Sequence, residues 1–248
     1  MKSSLTCLWW NVWLENFDER DRELDLLETL ANLLSERSPK VVALQEVIAS
    51  FVGEGAVGDL LTERGYSCRF DPAVDRGGGR FMGNLIASRE PFDYSTYDCG
   101  SYGDRMVSLQ VATLRAPECE LAIGNTHWLM MRPVFELHRW RQMNRMLNVV
   151  DQLRRDGPPL VIGGDLNTAA HHPYILRLKQ RFRLLCDDQP TWWYMGRSRL
   201  VKASLDHVFA TDEVPSSLEL LDRGPSDHAP LLAQIGGTAA APHLAEHA

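Results

Sequence analysis

The stretch LVIGGDLN, residues 160–167, decides the fold of this chain. Residues 160–162 are a short apolar run between turn-forming residues, which predicts a buried strand. Asp165 and Asn167 stand on either side of Leu166, and alternate residues of an extended segment point the same way. Both polar side chains can therefore face one site while Leu166 enters the core. The same pattern suits an Asx-type turn that caps a following helix, and the turn and the site can coexist.

Other parts of the chain also place polar groups at the end of an apolar run. These segments are WWNVW (9–13), ALQEV (43–47), GNTHW (124–128), and the late pair SLDHV (204–208) and SDHAP (226–230). Polar groups gathered at strand ends from distant parts of a chain are how a rigid scaffold builds a site. Carboxylates suit a hard cation, histidines suit proton transfer, and carboxamides suit orientation. Together they predict metal-assisted hydrolysis of a phosphoester.

In this order, the segments resemble the endonuclease/exonuclease/phosphatase superfamily. Its members include deoxyribonuclease I, abasic-site endonucleases, neutral sphingomyelinases and inositol polyphosphate phosphatases. The likeness runs from Asn11 to His228, nearly the whole chain. Further segments are similar to the tyrosyl-DNA phosphodiesterase 2 branch of that family: LQEVI (44–48), RWRQMNRML (139–147), TWW (191–193) and LELLDRGPSDHAPL (218–231). The resemblance implies a four-layer α/β/β/α sandwich of two mixed β-sheets flanked by helices.

The resemblance also implies a centre for Mg²⁺, with Mn²⁺ as the alternative ion. Glu46 would be a metal ligand, Asn11 would hold the metal or a phosphate oxygen, and Asp227 would lie near the metal, directly or through water. By themselves, Glu46 would be a solvated strand end and Asn11 a turn residue. One position departs from the family, because several relatives carry Asp where Trp13 stands. No acidic contribution is expected there.

Catalytic roles follow from the resemblance at the other strand ends. Asp165 would orient or deprotonate the attacking water, and Asn167 would hold the phosphate or that aspartate. His228 would contact the phosphate, with Asp206 hydrogen-bonded to its far ring nitrogen to fix the tautomer and stabilise the charged form. His127 would be either the general acid for the leaving group or a stabiliser of the equatorial phosphate oxygens.

Three residues are candidates for substrate binding at the edge of the site. Asn84 recurs in relatives at this edge, and a structural turn is an equal alternative. Arg80 closes the segment DRGGGR (75–80), which suits either a flexible loop around an anion or a solvated hairpin loop. Trp192 opens the aromatic run 192–194, which is a candidate for stacking on bases.

Other conspicuous side chains are expected to be structural. Trp9 and Trp10 belong in the core or on a sheet face, where most aromatic residues lie. His207 points away from Asp206 by strand alternation. The histidine pair at 171–172 precedes a proline, and no carboxylate stands at ligand spacing from it. We therefore expect this pair on the surface at the start of a helix.

Charge and composition restrict the class of partner. The chain has 248 residues, a formal net charge of −7, and 44% hydrophobic residues. Proteins that hold long nucleic acid through many phosphate contacts are usually basic. DNA ends, single-stranded DNA or small phosphodiesters are therefore expected as substrates. The five scattered cysteines indicate reduced thiols. No signal peptide or membrane span is predicted, and we expect a cytoplasmic monomer.

Periodicity predicts one domain over residues 1–235 and a disordered tail over 236–248. Helices are predicted over 19–37, over 56–64 and from 133 to about 155. Strands are predicted at 5–13, 40–47, 66–70, 83–88, 105–114, 120–126, 160–162, 204–210, 217–221 and 230–235. Periodicity alone indicates only a mixture of α and β structure.

The leading hypothesis is a Mg²⁺-dependent phosphodiesterase that acts on DNA or another nucleotide-containing ester. The alternatives are a lipid, sugar or small-molecule phosphoesterase of the sphingomyelinase type, and a fold recruited to small-molecule biosynthesis. A non-catalytic binding domain is the remaining alternative, and it would usually carry a broken motif. Only Trp13 departs from the pattern.

Overall fold

A computed structural model of the chain describes residues 4–13, 20–50, 55–116, 119–130, 132–185, 189–195 and 200–236. Its helices are α1 (Arg20–Arg37), α2 (Gly55–Glu63), α3 (Glu136–Asp156, after a 3₁₀ turn at Pro133–Phe135) and α4 (Pro173–Lys179). The first strands are β1 (Leu5–Asn11), β2 (Val41–Ser50), β3 (Ser67–Gly77), β4 (Arg80–Ser88), β5 (Phe92–Tyr102), β6 (Arg105–Ala116) and β7 (Cys119–His127). The later ones are β8 (Leu160–Asp165), β9 (Arg183–Leu184), β10 (Trp192–Met195), β11 (Leu200–Ala203), β12 (Asp206–Ala210), β13 (Ser216–Leu220) and β14 (Leu231–Ile235).

The strands form two six-stranded mixed sheets. One has the order β13-β14-β1-β2-β4-β3, the other β5-β6-β7-β8-β12-β9, and β10 pairs with β11 separately. Each large sheet contains one parallel pair, β1 with β2 and β7 with β8, and each pair is joined through a helix, α1 or α3. The carboxyl ends of parallel neighbours meet at one edge of a sheet, which is where this architecture collects functional residues.

Three apolar cores show that the molecule has four layers. One core joins α1 and α2 to the first sheet, another lies between the two sheets, and the last joins the second sheet to α3 and α4. Neighbouring residues of β1 serve different cores, since Trp10 packs towards the helices and Trp9 packs between the sheets. The predicted α/β/β/α sandwich is confirmed, and both tryptophans are buried as expected.

Most of the predicted elements occur within a few residues of their expected bounds. Three differences concern strand content: β5 was not predicted, β9 to β11 were not predicted, and the strand expected at 204 begins at Asp206. The segment 75–80 is a tight β-hairpin, because β3 continues to Gly77 and β4 begins at Arg80. Of the predicted tail, residues 237–248 lie outside the described part of the chain. Over the described ranges, none of the helices combines the length and apolar character needed to cross a membrane.

Candidate active site

Both sheets contribute strand ends to a single cleft of about 880 Å³. Glu46 on β2, His127 at the end of β7 and Asp165 at the end of β8 line it, together with Asp227 and His228 from the loop before β14. Asn11 and Asp206 are buried and are not among the lining residues. The cleft therefore has a layer of reactive side chains and a supporting layer behind them.

The backbone is unusual at this edge of the sandwich. Trp13, Glu46 and Asn167 have φ values of 38°, 59° and 47°, in the left-handed region that non-glycine residues rarely adopt. Glu46 lies in a β-bulge, where the register of β2 against β4 shifts between Leu44 and Val47. Bulges re-aim a side chain, and such conformations persist only where the surroundings hold them. Here the bulge turns the Glu46 carboxylate into the cleft.

The two glycines before Asp165 allow the sheets to approach closely. A Cβ on Gly163 would lie 2.7 Å from Nε1 of Trp9, which belongs to the opposite sheet. Gly164 has a φ of 138°, and a Cβ there would lie 2.0 Å from the carbonyl oxygen of Thr126. Side chains at either position would push β8 away from its neighbours, so the motif needs glycine at both.

Asn11 holds the two central carboxylates together from behind. Its Nδ2 donates to Oε1 of Glu46 at 3.2 Å and to Oδ2 of Asp165 at 3.0 Å. Its Oδ1 accepts from the backbone N–H of Trp13 at 2.9 Å. In this arrangement the Asn11 carboxamide presents its donor side to the carboxylates, while its oxygen stabilises the turn at Trp13.

Asp165 is held by Asn167 as well as by Asn11. Its Oδ1 accepts from the backbone N–H of Asn167 at 2.7 Å, and Nδ2 of Asn167 lies 3.3 Å from its Oδ2. Nδ2 of Asn167 also donates to the carbonyl of Trp128 at 2.9 Å, which ties this turn to the end of β7. The turn and the site thus coexist. Burial, followed by the charge of Asp206, raises the pKa of Asp165 to about 6.

His228 and Asp206 form a buried pair. Nδ1 of His228 lies 2.8 Å from Oδ2 of Asp206, and its Nε2 points towards Asp165 and Asp227, 3.7 Å from an oxygen of each. Burial of the ring opposes its positive charge, but the surrounding carboxylates outweigh burial and raise the pKa of His228 to about 10. The imidazole is therefore a cation at neutral pH.

Thr191 completes this pair, although the sequence did not single it out. Its hydroxyl accepts from the backbone N–H groups of Leu205 and Asp206, both at 3.0 Å. The same hydroxyl donates to Oδ2 of Asp206 at 2.7 Å. The only available signal was its place beside Trp192 in the TWW segment.

Trp192 contacts the site through its ring nitrogen. Its Nε1 donates to Oδ2 of Asp227 at 2.8 Å, and its ring stacks on Tyr194 with centroids 5.9 Å apart and planes within 7°. The structure therefore puts Trp192 on the cleft wall, as a support for Asp227 as well as an aromatic surface. Ser226 was also missed: it donates to the carbonyl of Asn11 and accepts from the N–H of His228.

His127 faces both central carboxylates. Its Nε2 lies 3.5 Å from Oε1 of Glu46, 3.6 Å from Oδ2 of Asp165 and 3.2 Å from Nδ2 of Asn167. Burial is the largest influence on the ring, and it lowers the pKa of His127 below its ordinary value against the opposing charge of Asp165. This histidine is neutral where His228 is charged.

The donor set at the cleft floor fits a hard divalent cation. Oxygens of Glu46 and Asp165 and a ring nitrogen of His127 all lie within 4.8 Å of one another. Oδ1 of Asp227 is buried and, among the described residues, has no hydrogen-bond partner. Carboxylate oxygens are the ligands that Mg²⁺ prefers.

The remaining candidates divide between the cleft and the surface. Asn84 is buried on the cleft wall, and its Oδ1 has no hydrogen-bond partner within the described ranges, so the carboxamide is available to a ligand. Arg80 is exposed at the tip of the β3–β4 hairpin and is not a lining residue of the cleft. His207 is buried with Nε2 2.6 Å from the carbonyl oxygen of Thr168, and it is structural, as expected.

Comparisons with known proteins point to one family. The model of the endonuclease/exonuclease/phosphatase family matches residues 8–228. An endonuclease/exonuclease/phosphatase family protein from Leptotrichia buccalis C-1013-b is similar in structure, with a TM-score of 0.75 at 17% identity over 94% of this chain and 100% of that chain. TDP2 from C. elegans has a TM-score of 0.71 at 17% identity, over 94% and 75% of the chains. The human Nocturnin catalytic domain has a TM-score of 0.71 at 17% identity, over 95% and 94%. No curated protein matches the sequence.

Proposed function

The chain belongs to the endonuclease/exonuclease/phosphatase family and is a phosphoric ester hydrolase, and we propose that it is a Mg²⁺-dependent phosphodiesterase for DNA or another nucleotide-containing ester. One observation carries the proposal: an anionic metal-type site and a histidine that is charged at neutral pH face each other in one cleft. Oδ2 of Asp165 lies 3.7 Å from Nε2 of His228. A phosphate bound in the cleft beside this pair is within reach of both the base and the cation.

Asp165 is the proposed base for the attacking water. It lines the cleft, and the N–H groups of Asn167 and Asn11 hold its orientation. Its pKa of about 6 is higher than that of a solvated aspartate, so it accepts a proton more readily while staying ionised at pH 7. Family resemblance assigns the same role to this position.

His228 and Asp206 are proposed to stabilise the charge that develops on the phosphoryl oxygens. The Asp206 carboxylate fixes the ring through Nδ1, which leaves Nε2–H directed into the cleft. A donor that is already oriented and charged needs no reorganisation during the reaction, which is how such groups lower a barrier.

His127 is proposed to donate a hydrogen bond to a phosphate oxygen. Since burial lowers its pKa, the ring is neutral near pH 7 and is a poor source of a full proton. This property favours stabilisation of an oxygen over general acid catalysis, which the sequence had left open.

The cation would be held by Glu46, with Asp227 directly or through water, and Asp165 beside it would stay available to the attacking water. When bound, it supplies Lewis-acid polarisation of the phosphate and neutralises its charge. Carboxylate ligands with room for water fit Mg²⁺, and Mn²⁺ accepts similar ligands. Trp192 would keep Asp227 turned towards this position through its indole N–H.

The nucleotide part of the proposal is supported by the cleft wall. Trp192 and Tyr194 present a parallel aromatic pair beside Asp227, and Tyr194 is 56% exposed. Aromatic side chains of this kind stack on bases without regard to sequence. The net charge of −7 favours short substrates over a long duplex.

A panel of phosphoesters assayed with and without Mg²⁺ tests the proposal. It contains single-stranded DNA, nicked duplex, 5′-phosphotyrosyl DNA, bis-p-nitrophenyl phosphate, sphingomyelin and inositol phosphates. We expect Mg²⁺-dependent hydrolysis of the nucleotide esters and of bis-p-nitrophenyl phosphate, abolished by EDTA and restored by Mg²⁺ or Mn²⁺. Hydrolysis confined to sphingomyelin or inositol phosphates would contradict the assignment to nucleotides. Glu46→Gln is the matched inactive control, because it keeps the shape of the side chain.

A further inference from the structure

The cleft has two different ends on either side of the reactive residues. In the second sheet, β6 lies beyond β7 on one side of β8, and β12 lies on the other side. His127, Asp165 and Asp206 follow one another across β7, β8 and β12. The Trp192–Tyr194 pair belongs to the β12 end, because Thr191 is hydrogen-bonded to Asp206. A substrate that spans the cleft therefore has one arm at each end.

The end at β6 is apolar and carries arginines. Met106 at the start of β6 is 56% exposed and Met130 after β7 is 39% exposed, and both line the cleft. Tyr102, which also lines it, packs edge-on against Phe135 with ring centroids 4.6 Å apart. This aromatic contact anchors the hairpin between β5 and β6 to the segment before α3.

Two guanidinium groups give this end a positive charge. Among the described residues that line the cleft, Arg105 and Arg132 are the basic ones apart from the histidines. Asp104 is the nearby carboxylate and is exposed in the turn between β5 and β6, whereas Glu46, Asp165 and Asp227 belong to the metal site. Burial is the main cause that lowers the pKa of His127, the charge of Asp165 opposes it, and the charges of His228 and then Arg105 lower the pKa further, so Arg105 lies near this ring.

We infer that the β6 end of the cleft is a subsite for a second oxyanion, so that the substrate is a nucleotide ester whose other arm carries a phosphate or carboxylate. The inference rests on the proposed function and narrows it. Arginine binds oxyanions through paired N–H donors, and the methionines offer an adaptable apolar surface to the group that links the oxyanion to the scissile phosphate.

The experiment uses a set of dinucleotides in Mg²⁺ at one fixed ionic strength. The parent is thymidylyl-thymidine, and the other members carry an added 5′-phosphate, an added 3′-phosphate or a 3′-O-succinyl group. For the wild type, we expect a phosphate at one of the two ends to raise kcat/KM about tenfold over the parent, the effect of a charge-assisted hydrogen bond. An equal gain from succinyl would identify the ligand as any oxyanion, and no gain from succinyl would identify phosphate.

Arginine variants show whether the gain comes from this subsite. The ratio of kcat/KM between the phosphorylated dinucleotide and the parent should fall towards one in Arg105→Gln/Arg132→Gln. Arg141→Gln is the control, because Arg141 is exposed on α3 and does not line the cleft. That variant should keep the wild-type ratio. Equal rates for all dinucleotides in the wild type, or a gain that survives in the double variant, would overturn the inference.

Calorimetric binding of the same compounds separates this inference from the proposed function. One result is that no dinucleotide is hydrolysed, but the phosphorylated one binds more tightly than the parent and this preference disappears in Arg105→Gln/Arg132→Gln. In that case the proposed activity is wrong and the subsite stands. If hydrolysis occurs without any preference in rate or binding, the activity stands and the subsite is wrong. If there is no hydrolysis and no selective binding, both the proposed activity and the subsite are wrong.

Discussion

Thr191→Val removes one hydroxyl from behind the charged histidine and leaves the rest of the side chain nearly unchanged. Both acceptor positions of the Thr191 hydroxyl are used by the backbone N–H groups of Leu205 and Asp206. Its single proton therefore points at Oδ2 of Asp206, the same oxygen that binds Nδ1 of His228. With valine, that carboxylate loses one of its two hydrogen bonds, and two backbone donors lose their acceptor.

The expected cost has a structural and a catalytic part. A hydrogen bond to a charged group contributes about 1.5–3 kcal/mol, and an unsatisfied buried donor costs about 1–3 kcal/mol. Partial relaxation should leave a loss of roughly 3 kcal/mol in the free energy of unfolding, or about 6–12 °C in Tm for a chain of this size. Loosening a supporting carboxylate typically costs about 10–100-fold in activity. We expect the loss in kcat, because His228 acts on charge that develops in the transition state.

The assay is hydrolysis of bis-p-nitrophenyl phosphate at saturating Mg²⁺, with kcat and KM measured separately, and calorimetric titration of the metal. Thr191→Ser is the matched control, since it keeps the hydroxyl and removes only a methyl group. It should recover most of the lost kcat, and metal affinity should stay the same in both variants. A wild-type kcat in the valine variant, or equal impairment of valine and serine, would refute the reasoning.

Four further outcomes are expected. Glu46→Ala should reduce turnover to the uncatalysed background and weaken Mg²⁺ binding while circular dichroism stays unchanged, and full activity in chelator-treated buffer would exclude a ligand role. Asp206→Asn should lower kcat about 10–100-fold without changing metal affinity; an equal fall in affinity by calorimetry would make Asp206 a ligand. The profile of kcat/KM should rise as pH increases through about 6, where Asp165 loses its proton, and fall through about 10, where His228 loses its charge. Asp206→Asn should move the alkaline limb to lower pH, and added Mg²⁺ should move the acid limb lower because a nearby positive charge favours the ionised form of Asp165. A 30-base-pair duplex should bind an inactive variant weakly with a shallow salt dependence, and tight binding with a steep slope would show that basic residues gather on one face.

Most helices and strands were predictable because they depend on patterns that are local in sequence, whereas the four-layer arrangement was predicted from the family resemblance. Helical spacing in Arg20–Arg37 and the apolar run at 160–162 both correspond to buried faces of the sandwich. Strand β5 escaped prediction because it is an edge strand with only two buried residues, and the alternation that Phe92 and Tyr94 begin breaks at Thr96. It forms because β6 offers it a hydrogen-bonding edge and α3 covers part of its inner face. Such a strand depends on tertiary contacts rather than on its own residues.

The sequence predicted which residues assemble at the site, but it did not predict which of their atoms are in contact. The resemblance placed Asn11 near the metal, yet in the structure its amide nitrogen holds two carboxylates while its oxygen accepts from Trp13. A sequence shows that a carboxamide ends a strand, and it does not show which end of that carboxamide turns inward. That direction is decided by the left-handed conformation of Trp13, with a φ of 38°, which brings the Trp13 N–H back to Oδ1 of Asn11.

The charge of the site gives a physical reason for tryptophan rather than aspartate at position 13. An aspartate there would add a carboxylate next to Glu46 and Asp165, and the like charges would repel unless a second cation were bound. Trp13 instead lines the cleft without charge, and its backbone N–H donates to Oδ1 of Asn11. Position 13 therefore adds no carboxylate, and the carboxylates of the site are those of Glu46, Asp165 and Asp227. This set is consistent with one cation at the cleft floor. Trp13→Asp would make the net charge of the site more negative, because it adds a carboxylate at the mouth of the cleft. The neighbouring carboxylates already offset the positive charge of the histidine.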